Sequence, residues 1–173
     1  MWDAWGGSAG VDWAIRKSAA IDREKLKNAI ENSVSNMEEI ILDGFIHSYF
    51  GVGLADISEQ LNNTLGNEVN MIINSGGGSV TEGHAIAAYM REHKKKKKIK
   101  TTGVGLVASI ATIPFLSGDD PTLAEGSYLM IHNPLVDETG GESKDLRKVA
   151  DLLDKTADDL ANFYVDVIER SGS

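Results

Sequence analysis

The 173-residue sequence has no cysteine, which excludes disulfides, thiolate metal sites and a cysteine nucleophile, and fits a cytoplasmic setting. Positive charge is in the minority, with 17 Lys and Arg against 26 Asp and Glu, and the net charge of -9 argues against nucleic acid as a partner. Long apolar runs are missing too. The most apolar stretch, residues 103–116, falls short of the ~20 residues that a membrane span needs and is closed by Asp119 and Asp120, so it reads as buried core. The opening, with Trp2, Trp5 and Trp13, lacks a basic region followed by an apolar core, so no secretory signal is expected. Histidines are few, and no pair among His47, His84, His93 and His132 has the spacing of metal ligands.

What is present is an alternation of strand-like and helix-like patterns. Residues 21–37 place Ile21, Leu26, Ala29, Ile30, Val34 and Met37 at helical spacing, and residues 1–37 together read as a partly helical N-terminal extension. A strand is expected over 39–46. A helix over 54–65 follows, with Leu54, Ile57, Leu61 and Leu65 on one face and Asp56 as its cap with Glu59 three residues on. Residues 69–73 are a short continuous apolar run, as in a strand covered on both faces. Ser79 and Glu82 have the spacing of a capping box that opens the next helix, and the lysines at 94–98 lie at its C-terminal end, where the helix dipole favours cations. Strands over 100–106 and 128–131 flank a helix over 109–117. The pattern is that of an α/β domain with a mostly parallel sheet. The last helix, over 143–170, would be about 40 Å long, as long as its own domain, and its wide apolar face points to packing on another subunit.

Three short segments carry the chemistry. Ser109 stands where the β-branched, glycine-rich lead of 101–107 gives way to helix formers, and the first N–H groups of a helix have no partner within it. A serine hydroxyl beside free amides is the local chemistry of acyl transfer, although a small residue packed beneath a buried helix explains the same pattern. Gly76, Gly77 and Gly78 follow a strand. They can form a plain tight turn, or bring a backbone N–H close to a reacting carbonyl; the spacing of a phosphate-binding loop is not met. His132 ends an apolar strand, where it is either a structural residue or the base that serine needs to become a nucleophile. Ligand sites in open α/β sheets gather at the carboxyl ends of strands, so the three segments converge.

Ile73-Asn74-Ser75-Gly76-Gly77-Gly78-Ser79-Val80, Gly105-Leu106-Val107-Ala108-Ser109-Ile110-Ala111 and Met130-Ile131-His132-Asn133-Pro134 resemble three successive motifs of the proteolytic subunit of Clp protease, and most of all its phage and prophage relatives associated with head maturation. The resemblance covers roughly residues 38–170. It implies a ClpP/crotonase-like fold with a long handle helix, a protease domain over 38–173 following the extension, and a serine endopeptidase acting on extended or unfolded polypeptide without metal or cofactor. By position it makes Ser109 the nucleophile, His132 the base, and the N–H groups of Gly77 and Ile110 the oxyanion donors. It implies a homo-oligomeric ring, with an ATPase unfoldase or phage capsid and scaffold proteins as further partners.

Two departures accompany it. Gly76 stands where the family has a proline, and the family's third triad member is an aspartate beyond the handle helix, whereas the sequence given ends at Ser173. Asp137, Asp145 and Asp166 are acids, but none lies at the matching place, so the third acid is unassigned and the domain reads as truncated after the handle. Two other functions follow from the same residues: a catalytically silent assembly subunit, and a crotonase-like thioester enzyme, which would leave the serine and histidine without a purpose.

Overall fold

In a computed structural model the described residues are 38–171; the helix expected over 21–37 lies outside them. Strand β1 (Glu38–Asp43) leads to α1 (Leu54–Asn63), β2 (Glu68–Ser75), α2 (Val80–His93) and the 11-residue β3 (Lys98–Ala108). A 3₁₀ turn (Ser109–Ala111), the short α3 (Thr112–Leu116), β4 (Pro121–Leu123), β5 (Tyr128–Met130) and the 29-residue α4 (Ser143–Ser171) complete the order.

Every strand pair is parallel, in the order β1-β2-β3-β4, and β5 joins the same sheet by pairing with β3. The long β3 therefore serves two neighbours in succession. Residues Thr101, Thr102 and Gly103 pair with β4, and Leu106, Val107 and Ala108 pair with β5. Between these stretches β3 bulges: Ile73 faces Gly103, while Ser75, two residues on, faces Val107. The Asn74 side chain fills the bulge, its Oδ1 accepting from Leu106 N–H at 3.2 Å and its Nδ2 donating to Asp43 at 2.7 Å.

The core is built where the apolar runs predict it. Leu42, Val69, Met71, Ile73, Ile99 and Val107 of the sheet are fully buried together with Ile57, Leu61, Ile86 and Met90 of α1 and α2. The stretch read as continuous core divides in two: Val107 through Phe115 are buried except for half-buried Ser109, whereas Val104, Gly105 and Leu106 are exposed because they form the bulge.

Helix starts differ in detail from the expected pattern. Gly53, not Asp56, is the N-cap of α1, and the Asp56 carboxylate reaches back to accept from Gly53 N–H at 2.8 Å. Ser79 caps α2 as its spacing predicts, accepting from Glu82 N–H at 3.4 Å. Glu82 itself does not close the box. Its carboxylate accepts instead from Leu54 N–H at 2.6 Å, tying the first turns of α1 and α2 together. Lys94 is the C-cap of α2, so the lysine run does begin at that helix end. Strand β4 has no counterpart among the expected elements.

Helix α4 has the expected extent, and only its later part enters the core. Leu160 is buried, and Phe163 and Tyr164 pack against the core cluster. No residue from 143 to 159 is buried, and Leu146 and Leu152 are exposed.

Candidate active site

Ser109 is the first residue of the 3₁₀ turn that ends β3, and at φ 55° it is the only non-glycine residue with positive φ among the described residues. A serine held there costs about 1–3 kcal/mol, a strain that persists only where the surroundings enforce it. Here they do. Thr112 Oγ1 donates to the Ser109 carbonyl at 2.6 Å, and the Tyr164 hydroxyl lies 2.8 Å from Thr112 Oγ1. Since the threonine proton is committed to the carbonyl, the tyrosine O–H is the donor in the second bond. Thr112 is fully buried, so α4 holds the serine backbone through a chain of two hydroxyls.

Gly77 lies against this serine. Its φ is 101°, and a β-carbon built on it would stand 2.5 Å from Ser109 Cβ and 3.1 Å from Ser109 Oγ. The glycine turn and the serine thus meet, as the convergence of motifs predicts. Two parallel-bridge hydrogen bonds hold the turn: Ile46 N–H donates to Gly77 O at 2.9 Å, and Ser79 N–H donates to Ile46 O at 2.8 Å. The Gly77 N–H donates to the Ser75 hydroxyl at 3.1 Å, within the buried part of the turn. Gly78, between the two bridge bonds, uses neither its N–H nor its C=O in them. Gly76 has open space where a β-carbon would lie. Ile110, whose amide is the other expected oxyanion donor, is buried in the 3₁₀ turn.

His132 leaves the same end of the sheet. Met130 is paired with Ala108, so the chain reaches His132 two residues past a strand whose neighbour reaches Ser109 one residue on. The imidazole is exposed and borders a small cavity of about 100 Å³ walled by Pro134 and, from α4, by Ala157, Leu160, Ala161 and Tyr164. No hydrogen bond joins His132 to Ser109 in the described residues, and no carboxylate is hydrogen-bonded to the imidazole. Apo sites of this kind often hold the pair loosely. Of the acids considered from the sequence, Asp145 stands 3.7 Å from Lys148 on α4, and Asp166 lends its backbone carbonyl to Arg170.

The three motifs lie in the part of the chain, residues 54–172, that the Clp protease family model matches. The chain belongs to the Clp protease family. Its mixed α/β architecture, with a parallel sheet and a long C-terminal helix, is that of the Clp-like fold. Among curated Clp proteins, it is 37% identical over 107 residues to the "ATP-dependent Clp protease proteolytic subunit" of Leuconostoc citreum (strain KM20), a match that takes in 60% of this chain and 52% of the relative. The chain therefore spans about half the length of the curated relative it matches. As a Clp-family site the arrangement includes three residues that motif reading passed over: Ser75, Thr112 and Tyr164. Tyr164 shows in the sequence only as one apolar position of a helical seam, and nothing in that periodicity points to its hydroxyl. Among the described residues no group of three or more His, Asp or Glu stands together as a metal site, and no helix is long and apolar enough to cross a membrane.

Proposed function

We propose that this chain is a serine endopeptidase of the Clp type, cleaving peptide bonds in extended or unfolded polypeptide. The observation that carries the reading is Ser109: a strained serine at the carboxyl end of a central parallel strand, packed on Gly77, with His132 leaving the same end of the neighbouring strand. Ser109 Oγ attacks the scissile carbonyl, and His132 takes its proton and passes it to the leaving amine. The amides of Gly77 and Ile110 receive the oxyanion. For Gly77 this requires its N–H to turn from the Ser75 hydroxyl towards the reacting oxygen, or the neighbouring Gly78 amide to serve in its place. The substrate lies as an added strand beside the sheet edge at β5, whose Leu129 and Met130 are exposed.

Exposed Leu146, Leu152 and Ile168 on α4 support assembly into a ring of like subunits through this helix. The Leuconostoc relative is described as a subunit of an ATP-dependent protease, which supports an ATPase partner for this chain, and the family resemblance makes that partner an unfoldase. The resemblance to head-maturation enzymes supports phage capsid or scaffold chains as substrates.

A fluorophosphonate probe tests the mechanism. Covalent labelling at Ser109, absent in Ser109→Ala and slowed in His132→Ala, is the expected result; a folded protein that takes no label at Ser109 overturns it. The imidazole of His132, without a hydrogen-bonded carboxylate among the described residues, favours one second reading, a catalytically silent assembly subunit. That reading predicts an oligomer by light scattering with neither labelling nor peptidase activity.

A further inference from the structure

The loop from β1 to α1 carries an uncharged aromatic surface beside the glycine turn. No Asp, Glu, Lys or Arg falls between Asp43 and Asp56, and within that run Phe45 is 54% exposed, Tyr49 85% and Phe50 82%. The three gather around one imidazole. The Phe45 ring lies nearly parallel to that of His47, at 12° with centroids 6.0 Å apart, and the Phe50 and Tyr49 rings stand 4.9 Å and 6.2 Å from it. Tyr49 N–H donates to His47 Nδ1 at 3.1 Å and holds that ring in place.

Backbone bonds fix this loop against the site. Val52 N–H donates to Phe45 O at 2.8 Å and His47 N–H to Val52 O at 3.2 Å, closing the turn, and a β-carbon on Gly51 would fall on the Phe45 carbonyl. Ile46, buried between Phe45 and His47, is the residue whose N–H and C=O hold Gly77 and Ser79. The aromatic platform therefore stands one strand spacing, about 4.8 Å, from the turn that packs on Ser109. Two such steps come to roughly 10 Å, the reach of about three residues of extended chain. In the sheet the loop follows β1, across β2 from β3, whereas β5 lies on the other side of β3. A polypeptide held along β5 on one side of the scissile bond meets the platform on the other.

Size and charge choose among occupants. At ~200 Å² for a whole aromatic side chain, the three expose roughly 450 Å², about half of the ~800 Å² that one side of a stable subunit interface takes. That is small for a second copy and enough for one or two side chains of an extended chain. The run also offers no cation to a lipid headgroup. Resting on the peptidase reading of Ser109, we infer that Phe45, His47, Tyr49 and Phe50 form a substrate subsite, which takes an aromatic or large aliphatic side chain about three residues from the scissile bond. Unfolded polypeptide exposes the apolar side chains that folded proteins bury, and an uncharged aromatic face selects for them.

The test uses the whole 173-residue chain and the hexapeptide acetyl-Gly-Ala-Phe-Ala-Ala-Gly-amide, followed by NMR. Saturable shifts at the His47 ring and at the Gly77 amide, with one common midpoint, are expected. Phe50→Ser should weaken binding about threefold to tenfold, the scale of one aromatic pair, and Phe50→Tyr should restore it. Phe50 stands largely in water, so neither change threatens the fold. Equal binding of the peptide with serine in place of its phenylalanine overturns the inference, as do binding unchanged in Phe50→Ser, shifts at His47 with none at Gly77, and no shifts at millimolar peptide. A mass by light scattering that falls in Phe50→Ser, with no peptide shifts, gives the patch to a second copy and overturns it as well. Fluorophosphonate labelling separates the two readings. Labelling of Ser109 without peptide shifts overturns the subsite alone, whereas joint shifts at His47 and Gly77 without labelling support the platform and overturn the serine mechanism.

Discussion

Replacing Gly77 by alanine is the sharpest perturbation of the proposed site, because it adds one methyl group at a point where the structure has no room. At φ 101° the alanine backbone itself costs about 1–2 kcal/mol. The new carbon would also stand 2.5 Å from Ser109 Cβ and 3.0 Å from the Ala108 carbonyl, so the β3 end has to shift, at ~1–3 kcal/mol for an overpacked site. Taken together, Gly77→Ala should lose about 2–5 kcal/mol, lowering the urea midpoint by roughly 1–2.5 M. Gly76→Ala is the internal control: nothing lies within 4 Å of its β-carbon position, so its stability should change by no more than about 0.5 kcal/mol. The second readout is fluorophosphonate labelling of Ser109, which should fall in Gly77→Ala and persist in Gly76→Ala under conditions where both are folded. A Gly77→Ala protein as stable as Gly76→Ala and labelled as fast would refute the packing of the turn against the serine.

Thr112→Val leaves both the Ser109 carbonyl and the Tyr164 hydroxyl without their partner and should cost about 1–3 kcal/mol. Tyr164→Phe keeps the threonine-to-carbonyl bond and should cost ~0.5–1.5 kcal/mol, so urea denaturation should rank the two in that order. The Glu38 carboxylate accepts from Gly66 N–H at 2.6 Å and Leu65 N–H at 3.1 Å, bonds that hold its pKa below the usual carboxylate value. Its contribution is therefore complete above the unfolded carboxylate pKa and disappears as the pH falls through the folded one. The gap in urea midpoint between the wild type and Glu38→Gln should be open at neutral pH and close as the pH falls through the lowered folded-state pKa of Glu38. If α4 carries the subunit contacts, Leu152→Asp with Ile168→Asp should lower the mass measured by light scattering and leave helical circular dichroism intact; an unchanged mass would remove that helix from the interface.

Much of this fold is legible in residue spacing. The helices over 54–63, 80–93 and 143–171 and the buried strand around Met71 follow from apolar periodicity, because burial of a face repeats along each element. Strand β4 does not follow from any such pattern. Pro121, Thr122 and Leu123 are all exposed, and they form a strand only because Thr101, Thr102 and Gly103 offer free edge groups beside them. The cap of α1 also escapes sequence reading: Asp56 has a cap's chemistry, but the helix begins at Leu54, so the same carboxylate acts from inside the first turn.

At the site, the meeting of the glycine turn with Ser109 is foreseeable from a parallel sheet, since both follow strands. The positive φ of Ser109 is not, because residue type does not encode it; it is imposed by Gly77 on one side and Thr112 on the other. Ser75 is hidden for a different reason. Its hydroxyl acts on a backbone N–H two residues away, a contact that any serine before a turn could make.

The two-hydroxyl link from Tyr164 to the Ser109 carbonyl gives α4 a mechanical character. The helix is anchored from Leu160 onward, and Leu146 lies about 21 Å before that anchor at 1.5 Å per residue. Taken as a stiff rod pivoting at Leu160, it turns through roughly 8° when its free end is pushed sideways by about 3 Å, and carries Tyr164 nearly 1 Å the other way. Directed along the line between the two hydroxyls, that displacement takes the 2.8 Å bond out of hydrogen-bonding range. Whatever grips the outer turns of α4 therefore holds a lever whose short arm ends on the backbone of the reactive serine.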